Sequence, residues 1–202
     1  MSVIGRIVAP SSAFARTVTE DDALWLGRAL VGEEGERASR GAHHAVASTL
    51  IRRWAFVSRS YPRSFPTLTA LVRAYSQPVN PIWENRGDAD AIARRARIRS
   101  LAWTQLPPTV RDVVIALLTG TESLSARGAV HFADGPTSAN FQRNNPSATV
   151  VPSAAANVLL AMPGSSAFDV YAEPASGGGG PSGFVVACAA LLAVAIAWGA
   201  SA

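Results

Sequence analysis

The strongest pattern of apolar and polar positions lies in residues 19–36. Its apolar members recur every three or four residues, which puts them on one face of a helix. These positions are Ala23, Leu26 and Leu30. Thr19 precedes the stretch and Asp22 follows it by three positions, which is the capping-box arrangement that begins a helix. Glu33 continues the apolar face, so the pattern predicts an amphipathic helix whose last turn carries a carboxylate toward the interior.

Four further segments have apolar residues at helical spacing, and each is bounded by a capping residue, a proline or a glycine. The predicted helices cover residues 39–56, 67–75, 88–104 and 107–120. Arg52 and Arg53 are expected near the exposed side of the first of these. Five helices within the first 120 residues indicate a helical domain.

The pattern of apolar and polar positions predicts little β structure. Residues 1–18 are interpreted as irregular or weakly extended, and residues 128–133 as a short β-like stretch. A polar loop is predicted over residues 134–146, and a last short helix over residues 154–160. The fold class predicted from these elements is mainly α, with a minor β element.

The end of the chain has a different composition. Residues 183–202 contain no charged side chain, and a helix of this length rises about 30 Å, enough to cross a bilayer. We therefore predict a C-terminal transmembrane helix, with the lipid bilayer as a partner of residues 183–202. The glycine-rich residues 173–182 read as a flexible linker, which leaves residues 1–172 as the folded domain. The expected location is a membrane, reached by a single-pass C-terminal anchor.

Composition and charge narrow the functional classes. All 18 basic residues are arginine, and the formal net charge is +4. A single cysteine, Cys188, excludes an internal disulfide and any metal site built from cysteines. The arginines of residues 94–99 form only a small patch without interleaved aromatic residues, so nucleic acid is not an expected partner. No metal and no cofactor are predicted.

Glu33 is the candidate for acid–base chemistry. Partial burial and the negative end of the helix dipole both disfavour its ionised form, and both therefore raise its pKa. A raised pKa suits a general acid that works near neutral pH. The adjacent Glu34 is expected to be solvated.

The stretch from Tyr75 to Trp83 combines aromatic rings with hydroxyl and amide groups. Two prolines, Pro78 and Pro81, make it stiff and extended. A sugar ring has an apolar face that stacks and edge hydroxyls that need hydrogen bonds, so this mixture is typical of a saccharide site. An ordinary proline-rich loop packed by its aromatic residues fits the composition equally well.

Three separated segments resemble the cell-wall hydrolase family typified by the spore-cortex-lytic enzymes. The first contains Gly32-Glu33 and Gly35-Glu36 and is followed by a helix rich in small residues. The second runs from Phe65-Pro66 into Tyr75-Ser76-Gln77-Pro78, and the third is Gly128-Ala129-Val130-His131-Phe132. The spacing between the two glutamates is one residue shorter than is usual in that family.

The resemblance implies a small lysozyme-like helical domain that cleaves the MurNAc-GlcNAc backbone of peptidoglycan. It implies Glu33 as the catalytic residue, with Glu36 as the second carboxylate that hydrolysis would require. The implied substrate-binding residues are Tyr75, Ser76, Gln77, Asn80 and His131. Ordinary glycosidases use a pair of carboxylates, and only Glu33 is well placed, so a lytic transglycosylase is favoured over a muramidase.

Two biological settings and one non-enzymatic alternative stay open. The chain fits a phage virion protein that acts during genome entry, and it fits a cellular tail-anchored protein. The alternative function is a catalytically inactive peptidoglycan-binding or structural membrane protein of a virion or cell envelope.

Overall fold

The computed structural model describes residues 2–10, 14–61, 63–165 and 169–175. Within these ranges the chain forms six α-helices and six strands, and about half of the described residues are helical. The helices are α1 Glu20–Glu34, α2 Arg40–Ser58, α3 Leu68–Tyr75, α4 Ala89–Ser100, α5 Pro108–Thr119 and α6 Gly135–Asn144. The strands are β1 Val3–Ala9, β2 Phe14–Thr19, β3 Ala129–Ala133, β4 Thr149–Val151, β5 Val158–Ala161 and β6 Tyr171–Pro174.

The first sheet joins the two ends of the described chain. Its order is β2-β1-β6, and both pairings are antiparallel. It packs on α5, where Gly5 of β1 lies so close to the carbonyl of Leu118 that a Cβ would overlap it. Gly120 ends α5 in the left-handed conformation, with φ of 76°, which a glycine adopts without strain.

The second sheet covers one side of α2. Its order is β3-β5-β4, again antiparallel, and β3 is the strand that packs against α2. Helix α6 follows β3 and contacts both β3 and β5. This sheet stands beside the end of α1, so it forms one wall of the site described below.

The core lies between α1, α2, α3 and α5. Trp54 of α2 is its largest fully buried side chain, and its indole N–H donates to the carbonyl of Phe65 at 2.9 Å. The same ring packs against Phe14 of β2 in a T-shaped arrangement, with the ring centroids 5.0 Å apart. Burial of such a large apolar ring, with its polar group satisfied, stabilises the contact between α2 and the first sheet.

Several local predictions are confirmed. The capping box at Thr19 and Asp22 is present, and the apolar stripe of α1 is fully buried. Asp22 also accepts from the backbone N–H of Thr69 at 2.7 Å, so the cap of α1 fixes the start of α3 as well. The starts of α2, α3 and α4 and the stop of α5 agree with the capping residues read from the sequence.

The predicted fold class is wrong. The chain is not a mainly helical domain with a minor β element, because residues 3–9 and 14–19 form a hairpin and the described strands make two three-stranded sheets. The short helix predicted over residues 154–160 is a loop leading into β5, and the polar loop predicted over residues 134–146 contains α6. Strands as short as these depend on partners far along the chain, as β1 does on β6, and local periodicity does not reveal such partners.

The membrane part of the fold prediction also finds no support. Among the described residues, no helix is long and apolar enough to cross a bilayer. Residues 183–202, for which the span was predicted, lie outside the described residues, as does most of the predicted linker. Strand β6 lies across residue 172, and the division of the chain at that residue stays a prediction.

Candidate active site

Glu33 lies in the last turn of α1, half-buried, and faces the loop that follows α3. The hydroxyl of Ser76, itself fully buried, donates to Oε1 of Glu33 at 2.8 Å. The backbone N–H of Gln77 lies near the same carboxyl and favours its ionised form. Two residues predicted to bind substrate thus contact the predicted catalytic residue.

The loop reaches Glu33 because Gly32 has no side chain. A Cβ at Gly32 would overlap the ring of Pro78, so only glycine allows the loop to lie directly on α1. Asn80 holds the loop from its other side. Its amide donates to the carbonyl of Ala74 at 2.7 Å, and its Oδ1 accepts from the N–H of Ile82 at 2.9 Å. The structure therefore commits the Asn80 amide to the loop backbone.

Burial raises the pKa of Glu33 from 4.5 to about 7, and the nearby charge of Glu34 acts in the same direction. The hydrogen bond from Ser76, the N–H of Gln77 and the charge of Arg94 lower that pKa, with a smaller combined effect. The direction is the one expected from the sequence. A carboxyl with this pKa is about half protonated at neutral pH, so it can donate a proton and afterwards accept one.

Glu34 is half-buried rather than fully solvated, contrary to expectation. Its carboxylate accepts from the backbone N–H of Ala156 at 2.8 Å and from the side-chain amide of Asn157 at 3.0 Å. These bonds attach the loop between β4 and β5 to the end of α1. Glu34 therefore fixes the second sheet beside Glu33, and its oxygens are committed to that contact.

Glu36 lies elsewhere. It is exposed in the loop after α1 and forms an ion pair with Arg97 of α4. Together they border an open groove of about 530 Å³, which Arg37 and Arg94 also line. The structure gives Glu36 a cationic partner in a groove on the α4 side, whereas Glu33 faces the loop after α3.

Tyr75 and His131 are brought together by Arg53. The guanidinium of Arg53 lies over the Tyr75 ring, 3.7 Å from its centroid, and donates to Nδ1 of His131 at 2.8 Å. It also donates to the carbonyl of Val130 at 2.8 Å. One face of Tyr75 is therefore covered by a cation, so that face is not available to stack on a sugar.

His131 is neutral at physiological pH. Burial and the charge of Arg53 lower its pKa to about 4. Its ring stacks on Phe141 of α6, with the centroids 4.3 Å apart and the planes 25° apart.

These contacts form a closed frame around the end of α1. From Glu33 the frame passes through Ser76 and Tyr75 to Arg53, and then to His131 on β3. Strand β3 pairs with β5, and the loop before β5 returns to Glu34. We call this ring of contacts the Glu33 frame. It includes every predicted site residue except Glu36, with Gln77 and Asn80 in its loop.

Sequence reasoning missed two members of the frame, Glu34 and Arg53. Arg53 was expected to be exposed, and Arg52 with it, but Arg52 is 4% exposed and Arg53 is half-buried. A signal for Arg53 was present, since Val46, Leu50 and Arg53 share one helix face at positions i, i+4 and i+7. No comparable local signal indicated that Glu34 binds residues more than 120 positions away.

Within the part of the chain that the structure describes, no three His, Cys, Asp or Glu side chains are grouped so that they could hold a metal ion. Compared with protein-family models, with curated proteins and with solved structures, the chain gives no match in any of the three comparisons.

Proposed function

We propose that this protein cleaves the glycan backbone of peptidoglycan as a lytic transglycosylase, with Glu33 as its single acid and base. The observation that carries the proposal is the half-buried Glu33 carboxyl, which accepts from Ser76 and has a pKa of about 7. Such a carboxyl gives and takes a proton within one catalytic cycle near neutral pH. The resemblance of three segments to cell-wall hydrolases supports peptidoglycan as the substrate.

In the proposed reaction, protonated Glu33 gives its proton to the glycosidic oxygen while the bond from that oxygen to C1 of the MurNAc ring breaks. The resulting carboxylate then takes the proton of the C6 hydroxyl of the same ring, and O6 bonds to C1. The products are a free hydroxyl on the leaving sugar and a 1,6-anhydro end. No water is consumed, and Glu33 returns to its acid form.

The neighbouring carboxylates favour this reaction over hydrolysis. Hydrolysing glycosidases need a second carboxyl group to activate water or to bind the sugar covalently. Glu34 is committed to Ala156 and Asn157, and Glu36 is paired with Arg97. Glu33 therefore carries the proton transfers by itself.

The test is to incubate the purified full chain with purified peptidoglycan and to analyse the released fragments by mass spectrometry. Anhydro ends are one water lighter than reducing ends, so the spectrum separates transglycosylation from hydrolysis. We expect Glu33→Gln to lower turnover by at least about 100-fold, with an unchanged circular dichroism spectrum.

Glu36→Gln is the matched control, because it makes the same chemical change three residues away. We expect this variant to retain turnover. Full activity of Glu33→Gln would contradict the proposal. Binding of the wild-type chain to peptidoglycan without any released fragment would instead support the non-enzymatic alternative.

A further inference from the structure

Arg53 has contacts that the proton transfers at Glu33 do not require. It extends from α2 and donates both to the carbonyl of Val130 and to Nδ1 of His131, while its guanidinium lies over Tyr75. Burial lowers its pKa, which means that the site holds this cation at an energetic cost. A leucine or methionine would fill the same space without that cost, so the charge and the donors themselves need an explanation.

The hydrogen bond from Arg53 determines which nitrogen of His131 carries the proton. A guanidinium only donates, so Nδ1 of His131 must present a lone pair. A neutral imidazole then carries its single proton on Nε2. A doubly protonated ring could not accept from Arg53, and it would place two positive charges 2.8 Å apart.

The described residues that face His131 are compatible with this arrangement. Arg53 faces the imidazole from α2, and the apolar ring of Phe141 stacks on it from α6. On β5 its partner in the strand pairing is the apolar Leu160. Among the described residues, Arg53 is the charged group that acts on His131.

We infer that Arg53 is a positioning residue, which holds His131 as a neutral imidazole with its proton on Nε2. The Glu33 frame then offers a hydrogen-bond donor at Nε2 of His131 to a ligand that carries an acceptor oxygen. The identity of that ligand rests on the proposed function. On an amino sugar, the strongest neutral acceptor is the carbonyl of the acetamido group. The free ammonium of a deacetylated sugar offers no acceptor, and the charge of Arg53 repels it. Sites built around a fixed polar group reject ligands that lack its partner.

The first experiment measures the protonation state of His131 directly. The full chain contains three histidines, so long-range ¹H–¹⁵N spectra of ¹⁵N-labelled protein are readily assigned with a His131→Asn variant. We expect His131 to show the pattern of an Nε2–H imidazole at pH 7. A proton on Nδ1 in the wild-type chain would overturn the inference, whatever the variants do.

Two substitutions separate positioning from a purely structural role. Arg53→Met removes the charge and all donors but keeps the length of the side chain. The pKa of His131 should therefore rise above about 4 while burial still holds it below the ordinary 6.5, and both tautomers should appear. Arg53→Lys keeps the charge and one donor group and should retain the wild-type pattern. The control is Arg143→Gln, which removes an exposed arginine two residues from Phe141.

An unchanged His131 titration in folded Arg53→Met would contradict the inference. If Arg53→Met does not fold, Arg53→Lys tests the inference instead. Lysine keeps the charge and a donor group, so loss of the Nε2–H pattern in Arg53→Lys would show that Arg53 does not act through charge and donation.

The ligand is tested by titrating the wild-type chain with a tetramer of N-acetylglucosamine and with the corresponding deacetylated tetramer. We expect the Nε2 proton of His131 to shift downfield with the first and to stay in place with the second. No shift with either saccharide would refute the acceptor-oxygen assignment. Because these spectra need no turnover, they separate failure of this inference from failure of the proposed function, which the release of peptidoglycan fragments reports.

Discussion

The hydroxyl of Ser76 donates a 2.8 Å hydrogen bond to Oε1 of Glu33, although 43 positions separate the two residues. A donor stabilises the ionised form of a carboxyl, whereas burial stabilises the neutral form. Burial has the larger effect here, so the pKa of Glu33 rises, but Ser76 limits the rise to about 7. The pair therefore sets Glu33 at a pKa suited to both halves of an acid–base cycle.

Substitutions on the two sides of Glu33 should move its pKa in opposite directions. Ser76→Ala removes a group that lowers the pKa of Glu33, so the alkaline limb of the pH–rate profile should shift to higher pH. Glu34→Gln removes a negative charge that raises the same pKa, so the limb should shift to lower pH. The pH dependence of fragment release measures both shifts, and Ser60→Ala in an exposed turn is the control. Shifts of the same sign in both variants would contradict this account.

The raised pKa of Glu33 also predicts how stability depends on pH. The native carboxyl keeps its proton up to about pH 7, whereas the unfolded chain releases it near pH 4.5. The unfolded state is therefore favoured increasingly as pH rises through this interval, and the free energy of unfolding falls. Glu33→Gln does not ionise and should be more stable than the wild-type chain above pH 7, by up to about 3 kcal/mol. Below pH 4.5 the two proteins should be nearly equal in stability.

Chemical denaturation at pH 4.5, 6 and 8 measures this difference. The control variant is again Glu36→Gln, for which no growing difference from wild type is expected. An equal free energy of unfolding for Glu33→Gln and wild type at pH 8 would show that the folded protein does not disfavour the ionised form of Glu33.

Glu34 should matter for the second sheet more than for the chemistry. Glu34→Ala removes the acceptors for Ala156 and Asn157, and the loss of such charge-assisted bonds costs about 1–3 kcal/mol. The backbone amide of Ala156 should exchange its hydrogen faster in the variant, whereas amides in the middle of α5 should keep their protection. Hydrogen exchange followed by mass spectrometry reports both regions. Unchanged exchange at residue 156 would mean that this attachment does not hold the loop in solution.

Gly32 should be intolerant of any side chain. In an exposed helix, Gly→Ala stabilises by about 1 kcal/mol, but here the added methyl would overlap the ring of Pro78. The expected result of Gly32→Ala is a displaced loop, a broken bond between Ser76 and Glu33, and a more solvated Glu33 whose pKa falls from about 7, because burial is the largest cause of its rise. Stability and the pH–rate profile test it together. Gly135→Ala, where a Cβ meets nothing within 4 Å, is the matched control and should leave both unchanged.

Part of the site was predictable because its signals are local. The face shared by Leu26, Leu30 and Glu33 follows from the helical repeat, and so does the inward direction of the carboxyl. The stiff loop after Tyr75 was evident from its two prolines. The resemblance to cell-wall hydrolases implied that this loop and Glu33 belong to one site. In the structure, the hydrogen bond from Ser76 to Glu33 joins the two.

The wrong predictions for Arg53 and for the first sheet have one cause, which is that both depend on contacts between distant parts of the chain. Arg53 was assigned to solvent because it is charged, yet its partners Val130 and His131 lie 77 and 78 positions away and become visible only when β3 packs on α2. The strands β1 and β6 pair across most of the described chain, and β6 has only four residues, so the local pattern does not indicate this pairing.

The sequence by itself determined helices α1 to α5, the caps at the starts of α1 to α4, the buried stripe of α1 and the position of Glu33 at its end. These features depend on residues within about four positions of each other, where helical geometry fixes the neighbours. Only the tertiary structure decided that Glu34 binds the second sheet, that Arg53 links Tyr75 to His131, and that two sheets flank the helices. Those contacts join distant segments, and their free energy comes from burial and hydrogen bonding that the local pattern does not encode.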